Sequence, residues 1–168
     1  INQGKKSRLY LLSAIDENSP YLVPTEFETY RGTGGKSYSN VIRYQRFVDD
    51  KTRYGLLLSN RIYEDDGYGN TLGADALINF SDIWKFTFET FFSFNKEPVA
   101  DWIDSNKSFS DYSVKLDGEI FNGYSIFTEI RRETEKWKSF VQYKYLSDDF
   151  RSDIGFIVKN DIKQYDLW

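Results

Sequence analysis

The chain has no histidine, no cysteine and no methionine, and only three prolines in 168 residues. Each absence removes chemistry. Without histidine or cysteine there is no Ser-His-Asp or Cys-His nucleophile system within the chain. Imidazole and thiolate zinc sites are excluded with them. No disulfide framework exists, so the redox compartment is not written in cysteine. Lacking methionine, the chain does not begin at a start codon and is expected to be a processed or excised piece of a longer protein. No basic excess is present either. Lys plus Arg is 22 and Asp plus Glu is 26, a formal charge of −4, which argues against a nucleic-acid surface. No window approaches 18 consecutive apolar residues, so no helix is expected to cross a membrane. A membrane-crossing strand escapes that test, because it shows lipid only every second residue.

What is abundant is aromatic side chain, at 18% of residues, in a period of two. In Trp84 to Phe94, residues Trp84, Phe86, Phe88, Phe92 and Phe94 share one face. Lys85, Thr87, Glu89 and Ser93 share the other, with Phe91 as the exception. Successive strand side chains point to opposite faces, so the segment has one apolar and one polar surface. Tyr112, Val114, Leu116 and Ile120 alternate in the same way with Ser113, Lys115, Asp117 and Glu119. Tyr124, Ile126 and Ile130 alternate with Ser125, Glu129 and Arg131, and Trp137, Val141, Tyr143 and Tyr145 with Lys138, Gln142 and Lys144. The pattern predicts strands over 8–15, 25–31, 38–48, 52–63, 71–80, 83–94, 111–121, 124–133, 136–146 and 152–163, with residues 1–37 loop-rich and less regular. Most run about 10–12 residues, beyond a globular strand and close to the length of a tilted membrane strand.

The connectors alternate between short and long. The turns at 49–51, 81–82, 122–123 and 147–151 are assigned to the periplasmic end, and the loops at 64–70 and 95–110 to the outer end. Asn122-Gly123 has the composition of a hairpin turn. Thr134-Glu135 breaks the alternation by being short where a long loop is due.

The expectation is an all-β antiparallel up-and-down meander, in one domain over 1–168, forming a transmembrane outer-membrane β-barrel or a segment of a larger one. Its lipid-facing set is Trp84, Phe86, Phe88, Phe92, Phe94, Val114, Leu116, Ile126, Ile130, Trp137, Val141 and Tyr143. Its lumenal charged network is Lys85, Glu89, Lys115, Asp117, Glu119, Glu129, Arg131, Lys138 and Lys144. On neighbouring strands such charges can pair across the ladder. A soluble lipocalin-like barrel holding an apolar ligand would show the same alternation turned inside out. A barrel hydrolase using lumenal carboxylates is the enzymatic alternative, and it has only residue type behind it. Non-enzymatic scaffold or pore work is preferred, with no cofactor.

Two local motifs carry less. Gly35-Lys36-Ser37 resembles the end of a phosphate loop, but Tyr30 stands where the motif requires glycine. Asp65-Asp66 with Asn70 is the candidate for a divalent cation bridging lipopolysaccharide at the outer rim, although ordinary turn chemistry accounts for such pairs.

The chain resembles a known family in four stretches. They are Asn40-Val41-Ile42-Arg43-Tyr44-Gln45-Arg46, Tyr54-Gly55-Leu56-Leu57-Leu58-Ser59-Asn60-Arg61, Leu72-Gly73-Ala74-Asp75-Ala76, and Asp149-Phe150-Arg151-Ser152-Asp153-Ile154-Gly155-Phe156-Ile157-Val158-Lys159-Asn160-Asp161. The resemblance, over roughly 38–165, is to the outer-membrane β-barrel domain of unknown function that in Bacteroidota proteins commonly follows a family 9 carbohydrate-binding-like domain. It implies a Gram-negative outer-membrane location. The implied partners are lipid and lipopolysaccharide, further strands of the same chain, or other subunits of an outer-membrane transport or glycan-handling complex. The family offers no catalytic residues to carry over.

Overall fold

The computed structural model describes residues 6–109, 111–155 and 157–168. Among them there is no helix, and so none long and apolar enough to cross a membrane. The strands in chain order are β1 (Ser7–Asp16), β2 (Pro20–Pro24), β3 (Thr29–Thr33), β4 (Ser37–Phe47), β5 (Arg53–Tyr63), β6 (Tyr68–Asn79) and β7 (Trp84–Lys96). There follow β8 (Val99–Ala100), β9 (Ser108–Phe109), β10 (Tyr112–Ser113), β11 (Leu116–Asp117), β12 (Ile120–Glu133), β13 (Lys138–Leu146) and β14 (Ile162–Leu167).

Eight of these build one antiparallel meander in the order β1-β4-β5-β6-β7-β12-β13-β14. Each strand pairs with the next long strand in the chain. The sheet is open: β1 and β14 are its edges, and neither has a second neighbour among the described residues. A closed ring, expected from the alternation, is therefore not formed by these eight strands. The central strands, at 11–14 residues, are as long as the alternation predicts.

The two ends of the sheet differ. One carries short turns at 48–52, 80–83 and 134–137. Asp49 Oδ1 accepts from the N–H groups of Lys51 and Thr52, fixing the first of them. Thr134-Glu135 is thus an ordinary member of this end. The other end carries the connections 17–36, 64–67, 97–119 and 147–161.

The main departures from the predicted strands fall in the long connections. Residues 25–31 are not a sheet strand; they belong to a separate hairpin of β2 and β3. The stretch 111–121 breaks at Gly118, whose φ is +91°; before the break it gives the two-residue strands β10 and β11, paired with β9 and β8, and after it the start of β12. Its alternating apolar residues serve a local core instead of a membrane face: Val114 and Leu116, assigned to lipid, are buried at 0% and 4% exposure. They pack with Tyr21, Val23, Tyr63, Ile103 and Phe121, flanked by Tyr30, Trp102 and Tyr112. Tyr21 meets Tyr63 and Trp102 edge-on at 5.3 and 5.7 Å, a favourable aromatic geometry. The predicted strand 152–163 is irregular up to β14, and 147–151 lies at the long-connection end, opposite to its assignment.

Asn122-Gly123 is also corrected. Both residues lie inside β12, opposite Phe94 and Ser93. Glycine is there for space: a Cβ on Gly123 would sit 2.3 Å from the backbone of Phe150.

Candidate functional site: the two faces of the sheet and the strap across one of them

The register fixes which side chains share a face. On one face stand Leu9, Leu11 and Ile15 of β1, Tyr38, Ile42 and Tyr44 of β4, and Tyr54, Leu56, Leu58 and Ile62 of β5. Leu72, Ala74, Ala76 and Ile78 continue it on β6, and Trp84, Phe86, Phe88, Phe92 and Phe94 on β7. Ile126 and Ile130 of β12 and Val141 and Tyr143 of β13 complete it. Many of these are half or more exposed, among them Leu56 at 55%, Leu72 at 50% and Val141 at 56%. An apolar surface of this extent marks an interface with a partner or a membrane. Trp137, grouped with this set in the sequence, lies in the turn ahead of β13 and is 74% exposed.

The opposite face is polar and partly enclosed. Arg43 Nη1 donates to Asp75 Oδ2 at 2.5 Å, from β4 to β6 across β5. Gly55 of β5 lies between them, and a Cβ there would meet both side chains. Glu129 and Arg131 form a two-pronged pair at 2.7 and 3.0 Å. Lys85, Glu89 and Lys144 lie on this face by register, and Lys138 begins β13 paired with Glu133. Lys115, Asp117 and Glu119, placed in the same lumenal network by sequence, are elsewhere: they belong to the broken segment between β10 and β12, beyond the sheet.

Residues 147–155 run as a strap across the polar face at the long-connection end. The wall beneath the strap is built from small residues. Thr71 Oγ1 donates to Ser152 Oγ at 3.1 Å. Ser93 Oγ accepts from the Arg151 N–H at 3.3 Å, and Asn95 Nδ2 donates to the Arg151 carbonyl at 3.4 Å. Gly69 sits under Asp153 and Gly123 under Phe150. Backbone can approach backbone here because the wall presents no bulk. Lys159 makes a parallel bridge with Thr25, tying the far side of the connection to the β2–β3 hairpin.

Arg151 holds the strap. It is buried at 3%, donates from Nη1 to Glu97 Oε1 at 3.0 Å, and sets Nε 3.0 Å from Asp153 Oδ1 in an ionic contact rather than an aligned hydrogen bond. Its guanidinium lies 4.6 Å from the Phe121 ring centre and 4.9 Å from that of Tyr21. A planar cation suits such a slot, since it stacks while its edge donates. Asp153 is bound in turn: its carbonyl accepts from Arg61 Nη1 at 3.0 Å, and its Oδ2 accepts from Tyr63 OH at 3.2 Å. Arg61 also reaches Asp16 at 3.2 Å. Burial, opposed by Arg151, pushes the Glu97 carboxyl up to about 7. Burial, together with the neighbouring Asp148, pushes Asp149 up to about 6. Sequence reasoning passed over Arg151, Glu97 and Asp153 as functional residues. The available signal was the resemblance run from Asp149 to Asp161, which contains Arg151 and Asp153.

Beneath the strap lies a cavity of about 620 Å³, lined by Leu57, Glu89, Phe91, Gln142, Lys144 and Phe150 among others. The lining is apolar with a few polar groups, the composition of a solute-sized site.

Charge is segregated along the sheet. The four long connections hold sixteen acidic and six basic side chains, a net −10, while the rest of the chain carries +6. Asp66, the sequence candidate for a cation, is paired with Lys96 at 2.6 Å, and its φ of 62° marks a turn residue. Asp65 and Asp66 form no group of three carboxylates; among the described residues that arrangement occurs at Glu97, Asp117 and Glu119.

Comparison with protein-family models, curated proteins and solved structures gives no match for the chain.

Proposed function

We propose that this chain is the wall segment of an outer-membrane β-barrel, a non-enzymatic scaffold or pore of a surface or transport assembly. The observation that carries the reading is the sidedness of the sheet. Large apolar side chains are the exposed ones, while ion pairs and a folded-in strap occupy the other face. A soluble sheet places them the other way round, because burying apolar area against a dry core is its main source of stability.

Three features support the reading. Strands of about eleven residues, tilted, match an apolar band about 25 Å tall. Rings with polar tips flank that band: Tyr44, Tyr54 and Trp84 toward the short turns, and Tyr38, Tyr68 and Tyr124 toward the long connections. Short turns at one end and long, acidic connections at the other follow the periplasmic and external asymmetry of such barrels. Lipid and lipopolysaccharide are the partners of the apolar face. Further strands, of the same chain or of other subunits, complete the wall beyond β1 and β14.

The absence of cysteine makes the test clean, since each introduced thiol reports alone. Single cysteines at Leu72, Phe88, Ile130 and Val141 on one face, and at Thr71, Glu89 and Glu129 on the other, are reconstituted in liposomes. The first group is expected to resist a water-soluble maleimide and react with a lipid-soluble one, and the second to do the reverse. A protein that is monodisperse in detergent-free buffer, with both groups labelled at one rate by the water-soluble reagent, would falsify the membrane assignment.

A further inference from the structure

We propose that Glu97, Asp117 and Glu119 form a calcium site at the acidic end of the sheet. One carboxylate oxygen from each lies within 4.8 Å of the others. Oxygens bound to one calcium at about 2.3–2.6 Å are at most about 5 Å apart, so the three are close enough to converge on one ion with small side-chain adjustments.

Glu97 supplies the independent observation. It is fully buried, its Oε1 is taken by Arg151, and its Oε2 has no hydrogen-bond partner among the described residues. A buried carboxylate oxygen left unsatisfied costs free energy unless a cation or donor meets it. The one guanidinium in contact is shared with Asp153. Neighbouring Lys96 turns instead to Asp66. Among the described residues the ion pair of Glu97 is with Arg151, which Asp153 shares, and a divalent ion would offset the added charge of Asp117 and Glu119.

The other two ligands are aimed before any ion arrives. The Ser113 N–H donates to Glu119 Oε2 at 2.9 Å, and the one Ser113 hydroxyl proton is shared between the Lys115 carbonyl at 3.0 Å and Asp117 Oδ2 at 3.2 Å. The β8–β11 bridge sets Asp117 opposite Val99, and the Glu97 N–H donates to the Glu119 carbonyl at 2.9 Å. Asp117 is exposed, which leaves a path for the ion and room for the waters that complete its shell. Calcium suits this irregular oxygen set better than magnesium, which demands near-octahedral geometry and dehydrates reluctantly. The site does not depend on the membrane reading.

The test is titration of the chelator-stripped full chain with calcium chloride by calorimetry, with thermal unfolding in parallel. One ion per chain and a raised unfolding midpoint are expected. Asp117→Asn combined with Glu119→Gln should weaken binding tenfold or more and abolish the thermal shift, with the far-ultraviolet β spectrum unchanged. Asp65→Asn with Asp66→Asn should leave binding intact. No binding by the unmodified chain overturns the site. So does binding that survives the first double variant or is lost only in the second.

Discussion

At the scale of single residues, the strap depends on one cation and one missing side chain. Arg151 neutralises Glu97 and Asp153 in a buried setting. Replacing it by methionine leaves two carboxylates uncompensated, and losing one partner of a buried pair costs about 3–5 kcal/mol. Arg151→Met should lower stability by that order in denaturant titration, and adding Glu97→Gln should recover part of the loss. Gly123→Ala tests the close approach. Its Cβ would meet the Phe150 backbone at 2.3 Å, and backbone cannot move aside as a flexible side chain can. Limited proteolysis should cut residues 147–155 faster in this variant, with the sheet intact. Acid dependence follows from Glu97. Its carboxyl is raised to about 7, so the folded state holds a proton that the unfolded chain releases. Stability should therefore rise as pH falls from about 7 toward about 5, with the gain lost again as pH climbs through the folded value. Thermal melts in chelator should show this slope in the unmodified chain and a flatter one in Glu97→Gln.

At the scale of strands, sidedness makes the consequence of a charge depend on parity. Leu72 lies on the apolar face, flanked by Leu58 and Phe92. If that face meets lipid as proposed, Leu72→Arg places a guanidinium toward hydrocarbon, which costs about 2–4 kcal/mol near the bilayer midplane. Thr87→Arg, on the opposite face of β7, should cost far less. Unfolding in lipid vesicles compares the two, and equal losses would count against a lipid-facing surface. Parity was also the part of the strands most legible in the sequence. Alternation located β7, β12 and β13 because a one-residue slip would turn every side chain over. It failed over 111–121, where the alternation is genuine but the partners are neighbours in a local core. Period two identifies extended backbone and leaves open what the extended backbone pairs with.

For the whole molecule, the open edges decide how the sheet is completed. β1 is exposed along nearly its whole length on both faces, with Leu9, Leu11, Leu12 and Ile15 each more than half exposed. A long apolar edge with unpaired backbone groups is a template for another strand. An eight-stranded barrel has an interior just wide enough for side chains. Here the polar face also accommodates a strap and a cavity of about 620 Å³. A barrel of the kind proposed should therefore close through additional strands and not by β1 meeting β14. Cysteines introduced at Leu12 and Gln164 should fail to cross-link in the assembled protein, and efficient cross-linking would establish a self-closed ring of eight.

The sequence by itself determined an all-β antiparallel meander of long two-faced strands, because side-chain alternation is a local property of extended chain. It also excluded histidine, cysteine and zinc–thiolate chemistry outright, by composition. Only the tertiary structure decided that the apolar face is the exposed one, that Val114 and Leu116 belong to a separate core, and that Asn122-Gly123 is strand and not turn. Arg151, Glu97, Asp117 and Glu119 are scattered along the chain, and their meeting depends on long connections folding back over the sheet. Such contacts follow from space left by Gly69, Gly123 and Ser93 and from the charge balance of a buried site, neither of which has a period to read.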